Sequence, residues 1–592
     1  DAFSRQGPSL QRNALEAVCR APLGDGSPDV ANAEATEEPT GAICEIIRPP
    51  KSRPRLLLPP LCTSRTGLLL PPLMQQEGFG MDGDLVCPHP LEGSRDESGD
   101  GTSGEEDGGA TPRTPKRRGR KKLTITQTMG VSPSSALQIV INNPGVLDQV
   151  YKVDQAKPLG QGSFGIVRKA KVKSTGAVRA VKSISKQLMK EKMNILMKEI
   201  EIMKAVDHPN SIMLYEIFED ERNLYLVMEL CAGGCLHQRV RSSGHLREAD
   251  AAVAMRQIFR AVFYLHRSHI CHRDLKAENI LLSTSASLAK TLLKVSDFGL
   301  SCTFRPKQYL LQRVGTLTHM SPEVLEKKYN QSCDIWACGI ILYFLLSSDV
   351  PFQDEAQILR GRVSYSSKAW WDASQDVVAF LGRLLVKAAR RQSAEQALQD
   401  QWFEKCLPAT VEPVLRFTLL DDLRTYRELN KFKRAALSTV ASMLDEAHIS
   451  ESRDIFASLD TDGDGLLSVA ELEERLRKIS LDKAMHRAYG RREIERIFQD
   501  MDDVGAPLKD FSYTEFLAAT FNRAECLTEA VCREVFNALD KTQDGIIDFK
   551  ELVSGNMLGH IPVEELQQTL EELDQNGDSM IDFPEFMQMM RQ

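Results

Sequence analysis

A glycine-rich run, Gly160-Gln161-Gly162-Ser163-Phe164-Gly165-Ile166-Val167, is the first place in this chain where residue type and spacing imply chemistry. Backbone without side chains can approach phosphate oxygens and offer them its amides. In dinucleotide-binding folds such a run leads into a helix. Here Val167 to Val172 and Val178-Arg179-Ala180-Val181-Lys182 read as two further strands, which excludes that fold. A second chemistry recurs far downstream. Asp460, Asp462 and Asp464 alternate, Gly465 follows, and Glu471 ends the loop. The spacing sets oxygen donors around a hard cation, with the Leu466 carbonyl as a further ligand and Glu471 binding through both oxygens, so calcium is the expected ion. The frame returns at Asp540, Thr542, Asp544, Ile546 and Glu551, and again at Asp574, Asn576, Asp578, Met580 and Glu585. Thr542 supplies a neutral oxygen where a carboxylate is common, which should weaken affinity. Ser579 stands where the turn favours glycine.

Three further runs complete a set in order: His272-Arg273-Asp274-Leu275-Lys276-Ala277-Glu278-Asn279, Asp297-Phe298-Gly299 and Ser321-Pro322-Glu323. From about Tyr151 to Phe403 the chain thereby resembles the protein kinases. The resemblance implies that Leu159, Gly160, Gly162, Gly165, Val167 and Ala180 enclose ATP, with Met228, Glu229 and Cys231 at the adenine hinge. Lys182 would hold the α- and β-phosphates, supported by Glu199, with Glu201 as the alternative partner. Asp274 would accept the substrate hydroxyl proton beside Lys276, and Asn279 and Asp297 would hold magnesium. Lys276 is the serine/threonine-kinase type. Glu323 should pair with Arg391, Thr316 should meet Asp274 and Lys276, and Asp334 should brace the catalytic-loop backbone. Ala277, His319 and Cys235 depart from the usual proline, aromatic and acidic residues; none handles phosphate, so activity should survive while substrate choice shifts. Glu278 still favours a basic residue in the substrate.

These elements need a strand-rich lobe followed, from about Leu246, by a helical one. The chain has 592 residues, a formal net charge of -8 and 13 cysteines. That length accommodates several cores. The acidity points to cations and away from nucleic acid. The odd, scattered cysteines suit free thiols in a reducing cytosol. No run of membrane-spanning length is evident, since prolines and Arg65 interrupt Leu56 to Leu73. Residues 1–145 are rich in Pro, Gly, Ser and charge and are expected to be disordered. Their basic run from Lys116 to Lys122 leaves a nuclear address or peripheral membrane contact open beside a cytoplasmic location.

The expected domains are therefore this extension, a kinase domain over 146–406, a helical connector over 407–450 and four calcium-loop units over 451–592. The second unit, Asp502 to Glu515, has Val504, Ala506 and Pro507 in its loop and is expected to hold no metal. Phe511 should pair with Leu467, as Ile547 with Ile581. In the connector, Phe432, Ala436, Val440 and Met443 share a helical face beside Lys431, Lys433 and Arg434, the form of helix that EF-hand lobes clasp.

Kinase, basic connector and EF-hands in this order resemble the calcium-dependent protein kinases of plants and protists, from about Tyr151 onward. The resemblance implies an α+β, two-lobed kinase fold followed by an all-α, calmodulin-like domain. It implies ATP, Mg2+ and Ca2+ as cofactors, serine and threonine hydroxyls of proteins as substrates, and a connector that restrains the kinase until calcium binds. A monomer is expected. Two readings compete: a calcium-binding scaffold on an inactive kinase fold, and EF-hands that are constitutive structural sites.

Overall fold

The computed structural model describes residues 140–591 except 144, 162–164, 191, 408–414, 417, 480–490, 500–508 and 555–562. The N-terminal extension, Gly162 and the loop positions Val504, Ala506 and Pro507 lie outside the described residues.

Six strands form the N-terminal sheet: β1 (Ile141–Asn142), β2 (Tyr151–Gln161), β3 (Gly165–Val172), β4 (Val178–Ser185), β5 (Leu214–Glu219) and β6 (Asn223–Met228), in the order β1-β5-β6-β4-β3-β2. The β2–β3 hairpin carries the glycine-rich run, with Gly160 opposite Val167 and Gln161 opposite Ile166. Gly165 cannot be replaced without moving backbone, because a Cβ there would stand 2.2 Å from the Ser183 carbonyl oxygen on β4. Helix α1 (Met193–Ala205) turns Leu196, Ile200 and Met203 into the core.

In the helical lobe, α2 (Leu236–Ser243) leads to the amphipathic α3 (Glu248–Arg267), and β7 (Ile270–Cys271), β8 (Ile280–Leu282), β9 (Leu293–Val295) and β10 (Cys302–Thr303) follow. Strand β8 pairs with β9 and β7 with β10. Helix α4 (Ser332–Ser347) is apolar on all sides and buried from Cys333 to Leu346, as a helix without a polar face must be. Arg391 ties this lobe together. Its guanidinium forms a forked pair with Glu323 and donates to the carbonyls of Ser332 and Val386.

A second apolar core is built by the C-terminal part, joined by Ile141 of β1 and with Met213 packed against it. Helices α5 (Leu419–Glu428) and α6 (Lys431–Met443) precede α7 (Glu446–Leu459) and α8 (Val469–Ile479), with α9 (Tyr513–Thr520), α10 (Glu529–Leu539) and α11 (Phe583–Arg591) further on. Two-residue strands join the calcium loops in pairs. Leu467 faces Phe511 across β11 (Leu466–Leu467) and β12 (Phe511–Ser512), and Ile547 faces Ile581 across β13 (Ile546–Ile547) and β14 (Ile581–Asp582). The unit without its full set of acids thus closes the first lobe through main-chain pairing. Asn430 caps α6 by accepting from the Lys433 amide, and residues Phe432 to Ser442 are all buried. The connector is enclosed all round, more deeply than a one-faced amphipathic helix would be: α9, α10 and α11 pack on it, with Phe432 6.5 Å from Phe586 between ring centroids.

Removing one partner of a buried ion pair leaves the other uncompensated, at about 3–5 kcal/mol. Arg391→Ala should therefore lower the unfolding midpoint of the kinase lobes sharply. All four tryptophans, Trp336, Trp370, Trp371 and Trp402, lie in that part of the chain, so intrinsic fluorescence reads its transition separately. An unchanged midpoint would show that the pair contributes little.

Candidate active site and calcium loops

Three elements converge on a cleft beneath the glycine hairpin. From β4, Lys182 reaches across to α1, where its Nζ lies 3.0 Å from Glu199 Oε1. Glu201, the alternative partner, points outward. Burial opposes the charge of Lys182, but Glu199 and Asp297 outweigh it and hold the ammonium above its ordinary range. The charge suits a phosphate site.

The catalytic loop follows β7. Asp274 Oδ1 accepts from Thr316 Oγ1 at 2.6 Å, and its Oδ2 accepts from Lys276 Nζ at 2.7 Å. Lys276 also donates to Thr316 Oγ1 at 3.0 Å. Burial would favour a neutral Asp274, yet Lys276 and Thr316 prevail and keep the carboxyl below its usual range. An ionised carboxylate beside a hydroxyl is the arrangement a proton acceptor requires. Asn279 Nδ2 donates to the Asp274 carbonyl at 2.8 Å, leaving its amide oxygen for a metal. Asp297 has a left-handed φ of 65° and lies near both Lys182 and Gly299. Strained backbone of this kind persists where the surroundings over-determine it.

Beneath the loop, Asp334 accepts from the amides of His272 at 2.9 Å and Arg273 at 2.8 Å. At the hinge, Met228 faces Ala180 across β4 and β6, and Lys294 Nζ holds Glu229 Oε2 at 2.9 Å. That leaves main chain around Glu229 to Cys231 for a base edge. Glu278 lies at the cleft mouth with His237 Nε2 3.7 Å from its Oε1. The donors present fit ATP with magnesium: one ammonium for phosphate, and a carboxylate and an amide oxygen for a hard cation.

Oxygens also gather in each calcium loop. Ligand atoms of Asp460, Asp462 and Asp464 come within 4.8 Å of one another. Burial pushes the Asp460 carboxyl up to about 7, with Arg260 opposing and Glu471 and Asp462 adding to the rise. Crowded carboxylates of this kind are relieved by a divalent cation. Glu471 receives the Thr461 amide on one oxygen at 2.8 Å and the Ser468 amide on the other at 3.0 Å. Glu551 and Glu585 repeat this, with Thr542 and Asp548, and with Gln575 and Asp582. Leu466 and Ile546 open their short strands and Met580 directly precedes its own. Thr542 Oγ1 lies 3.0 Å from Glu551 Oε1, inside its loop. At the turn position Gly465 and Gly545 have φ of 78° and 88°, while Ser579 adopts 61° with a side chain attached.

Sequence reasoning missed a seam between the first loop and the kinase lobes. Arg260 Nη2, on α3, donates to the Asp460 carbonyl at 3.0 Å, and Arg267 forms an ion pair with Asp464. A Cβ on Gly465 would stand 2.6 Å from the His208 ring. Asp207, fully buried, accepts from Thr514 Oγ1 at 2.7 Å and the Thr514 amide at 3.1 Å. Burial pushes its carboxyl up, against the pull of these donors. No local motif marks these residues; only the folded chain brings them together. Gln312 was missed likewise: its Oε1 accepts from Arg273 Nη1 at 3.3 Å, while Arg273 Nε donates to the Leu300 carbonyl at 2.6 Å, fastening the segment after Asp297.

A two-lobed fold with a Lys–Glu pair, a braced catalytic loop and a separate domain of paired calcium loops defines a protein kinase joined to a calcium sensor. A protein kinase domain model matches residues 153–403, an EF-hand model 453–476 and an EF-hand domain pair model 529–591. Calcium-dependent protein kinase 5 of Plasmodium falciparum is 34% identical over 466 residues, covering 76% of this chain and 80% of that protein. Calcium-dependent protein kinase 9 of Arabidopsis thaliana is 34% identical over 450 residues, covering 74% and 80%. The chain belongs to the calcium-dependent protein kinase family. It is an ATP-dependent protein serine/threonine kinase that uses magnesium and binds calcium.

Two outcomes test the geometry. Asp274→Asn should cut turnover by about 10²–10⁴-fold while leaving ATP affinity intact, measured by phosphotransfer and nucleotide binding. Ser579→Gly should tighten calcium binding at the last loop by up to about 1 kcal/mol, read by calorimetry, because glycine adopts the left-handed turn without steric cost.

Proposed function

We propose that calcium activates this kinase by making the EF-hand domain enclose the connector and seat its first loop on α3, so that α6 no longer restrains the catalytic cleft. The observation that carries this reading is the enclosure of α6 among α9, α10 and α11 in a chain whose Lys182–Glu199 and Asp274–Lys276–Thr316 contacts are closed. The domains then divide as 146–406 for catalysis, 407–450 for the connector and 451–592 for the sensor. Without the sensor's grip, an exposed α6 with Lys431, Lys433 and Arg434 would seek another apolar and acidic surface.

In the reaction, Lys182, steadied by Glu199, orients the phosphates under the glycine hairpin. Asp274 receives the proton of the substrate serine or threonine hydroxyl. Lys276 offsets charge near the transferred group, and Thr316 holds Asp274 and Lys276 in register. Asn279 and Asp297 would hold magnesium, which neutralises the phosphate oxygens. Glu278, half-buried beside His237, favours a substrate with a basic residue near the acceptor. His237 beside it softens that preference. The enzyme acts as a monomer in the cytoplasm, with membrane or nuclear contact assigned to the N-terminal basic run.

Phosphotransfer by the purified full chain should be low in chelator and rise at least tenfold on adding calcium without calmodulin, the scale of a ~1.4 kcal/mol coupling. Glu471→Gln should shift half-activation to higher calcium, and Asp207→Asn should do so without changing the KM for ATP. Equal rates in chelator and calcium would rule out the switch.

A further inference from the structure

Three cysteines converge behind the catalytic loop without touching the phosphate site. Cys271 closes β7 and Cys302 opens β10, and the two are cross-strand partners. Cys333 enters from the first turn of α4. Cys271 Sγ lies 3.6 Å from Cys333 Sγ, and Cys333 Sγ lies 3.9 Å from Asp334 Oδ1. Cys302 packs against the same cluster. A small cavity of about 10 Å³ is lined by Cys333 and Asp334 and also by Asp274 and Thr316.

We infer that Cys271, Cys333 and Asp334, with Cys302 as a fourth donor, form an inhibitory site for a thiophilic divalent cation, of which zinc is the type. The ligand set separates it from the calcium and magnesium sites, which offer oxygen and amide groups alone. Its spacing fits. Two sulfurs each about 2.3 Å from a tetrahedral zinc stand about 3.8 Å apart, and a sulfur and a carboxylate oxygen about 3.5 Å apart. The observed 3.6 and 3.9 Å need only small side-chain rotations. An outer shell is already in place, because Asp334 Oδ2 accepts from His266 Nε2 at 2.9 Å and the His272 amide at 2.9 Å, which leaves Oδ1 facing the thiols. The cavity has room for one water-sized or smaller group and brings Cys333 and Asp334 next to Asp274 and Thr316 of the cleft.

Binding involves no redox step. The cation forms bonds to two or three sulfurs, and each thiol releases its proton to solvent, so affinity rises with pH. Burial holds the unligated Cys271 thiol well above its ordinary range, which keeps the pair inert toward other reagents until a metal arrives. Inhibition follows from Asp334. Its Oδ1 also accepts from the Arg273 amide, next to Asp274. A cation that draws Oδ1 toward the sulfurs slackens that bond and displaces the base.

The rival account is a cluster of small apolar residues filling a core. Cadmium, a spectroscopic stand-in for zinc, separates the two. The full chain, with calcium and magnesium in excess, is titrated with cadmium while thiolate-to-metal charge-transfer absorption is followed. The wild type should show one high-affinity step that the Cys271→Ser/Cys333→Ser double variant lacks, whatever the other cysteines add to both. Zinc should lower wild-type turnover about tenfold, the loss expected from one weakened hydrogen bond to a charged group, and the double variant less than twofold. Cys302→Ser, the milder change, should weaken the cadmium step without abolishing it, with tryptophan fluorescence melts reporting that each variant is folded. Identical cadmium absorption in wild type and double variant, or equal zinc inhibition of both, would overturn the site.

Discussion

Asp334 is the point on which the catalytic half of the molecule turns. One carboxylate, almost wholly buried on α4, accepts from two consecutive main-chain amides and a histidine. The same two residues of catalytic loop include Arg273, whose φ of 67° is one a side chain rarely adopts. Such a conformation costs roughly 1–3 kcal/mol and needs something rigid to impose it. An apolar helix with no freedom to shift provides that rigidity, and Asp334 transmits it. Burial alone would favour the neutral acid, but His266 and the loop amides keep the carboxyl below its usual range, so the acceptor stays charged while the loop stays bent. Everything facing the cleft from this side, Asp274, Lys276 and Asn279, inherits its position from that one group.

The lobes, the connector and the calcium loops were legible in the sequence because each rests on local pattern. Strand alternation, the order of the phosphate-handling runs and the spacing of loop oxygens are short-range signals. The pairs Lys182–Glu199, Glu323–Arg391 and Leu467–Phe511 could be anticipated as well, since each joins positions within recognisable motifs. What could not be read was contact between motifs. Asp207 and Thr514 are separated by 307 positions, and neither belongs to a catalytic or metal-binding pattern. Arg260 and Arg267 read as ordinary charges on an amphipathic helix until the first loop is placed against them. The depth of α6 was likewise hidden: a face of four apolar residues suggests a helix half covered, whereas Lys433 and Arg434 are also buried.

The two parts meet through polar contacts as well as through Ile141 and Met213 on the second core. Asp207 is desolvated and held by the hydroxyl and amide of Thr514 with Ser512 beside them, so separating the domains exposes a carboxylate that water must rehydrate and strips α9 of an acceptor for its first-turn amide. Polar seams of this type discriminate sharply between docked and undocked arrangements, because half-made contacts are worse than none. A switch assembled from them can be firm in either position while its parts remain individually modest.

The first calcium loop also differs from the later ones in its surroundings. A side-chain carbon added at Gly463 or Gly465 would collide with Arg260 or with His208 and Tyr264, whereas Gly545 and Gly577 look onto open space. One loop is thus answerable to two masters at its glycines, its ion and its neighbouring helix, while the glycines of the distal loops answer to the ion alone. Sequence drift that retunes calcium sensitivity has its free play in the distal pair; in the proximal loop the same substitutions would also unseat the domain.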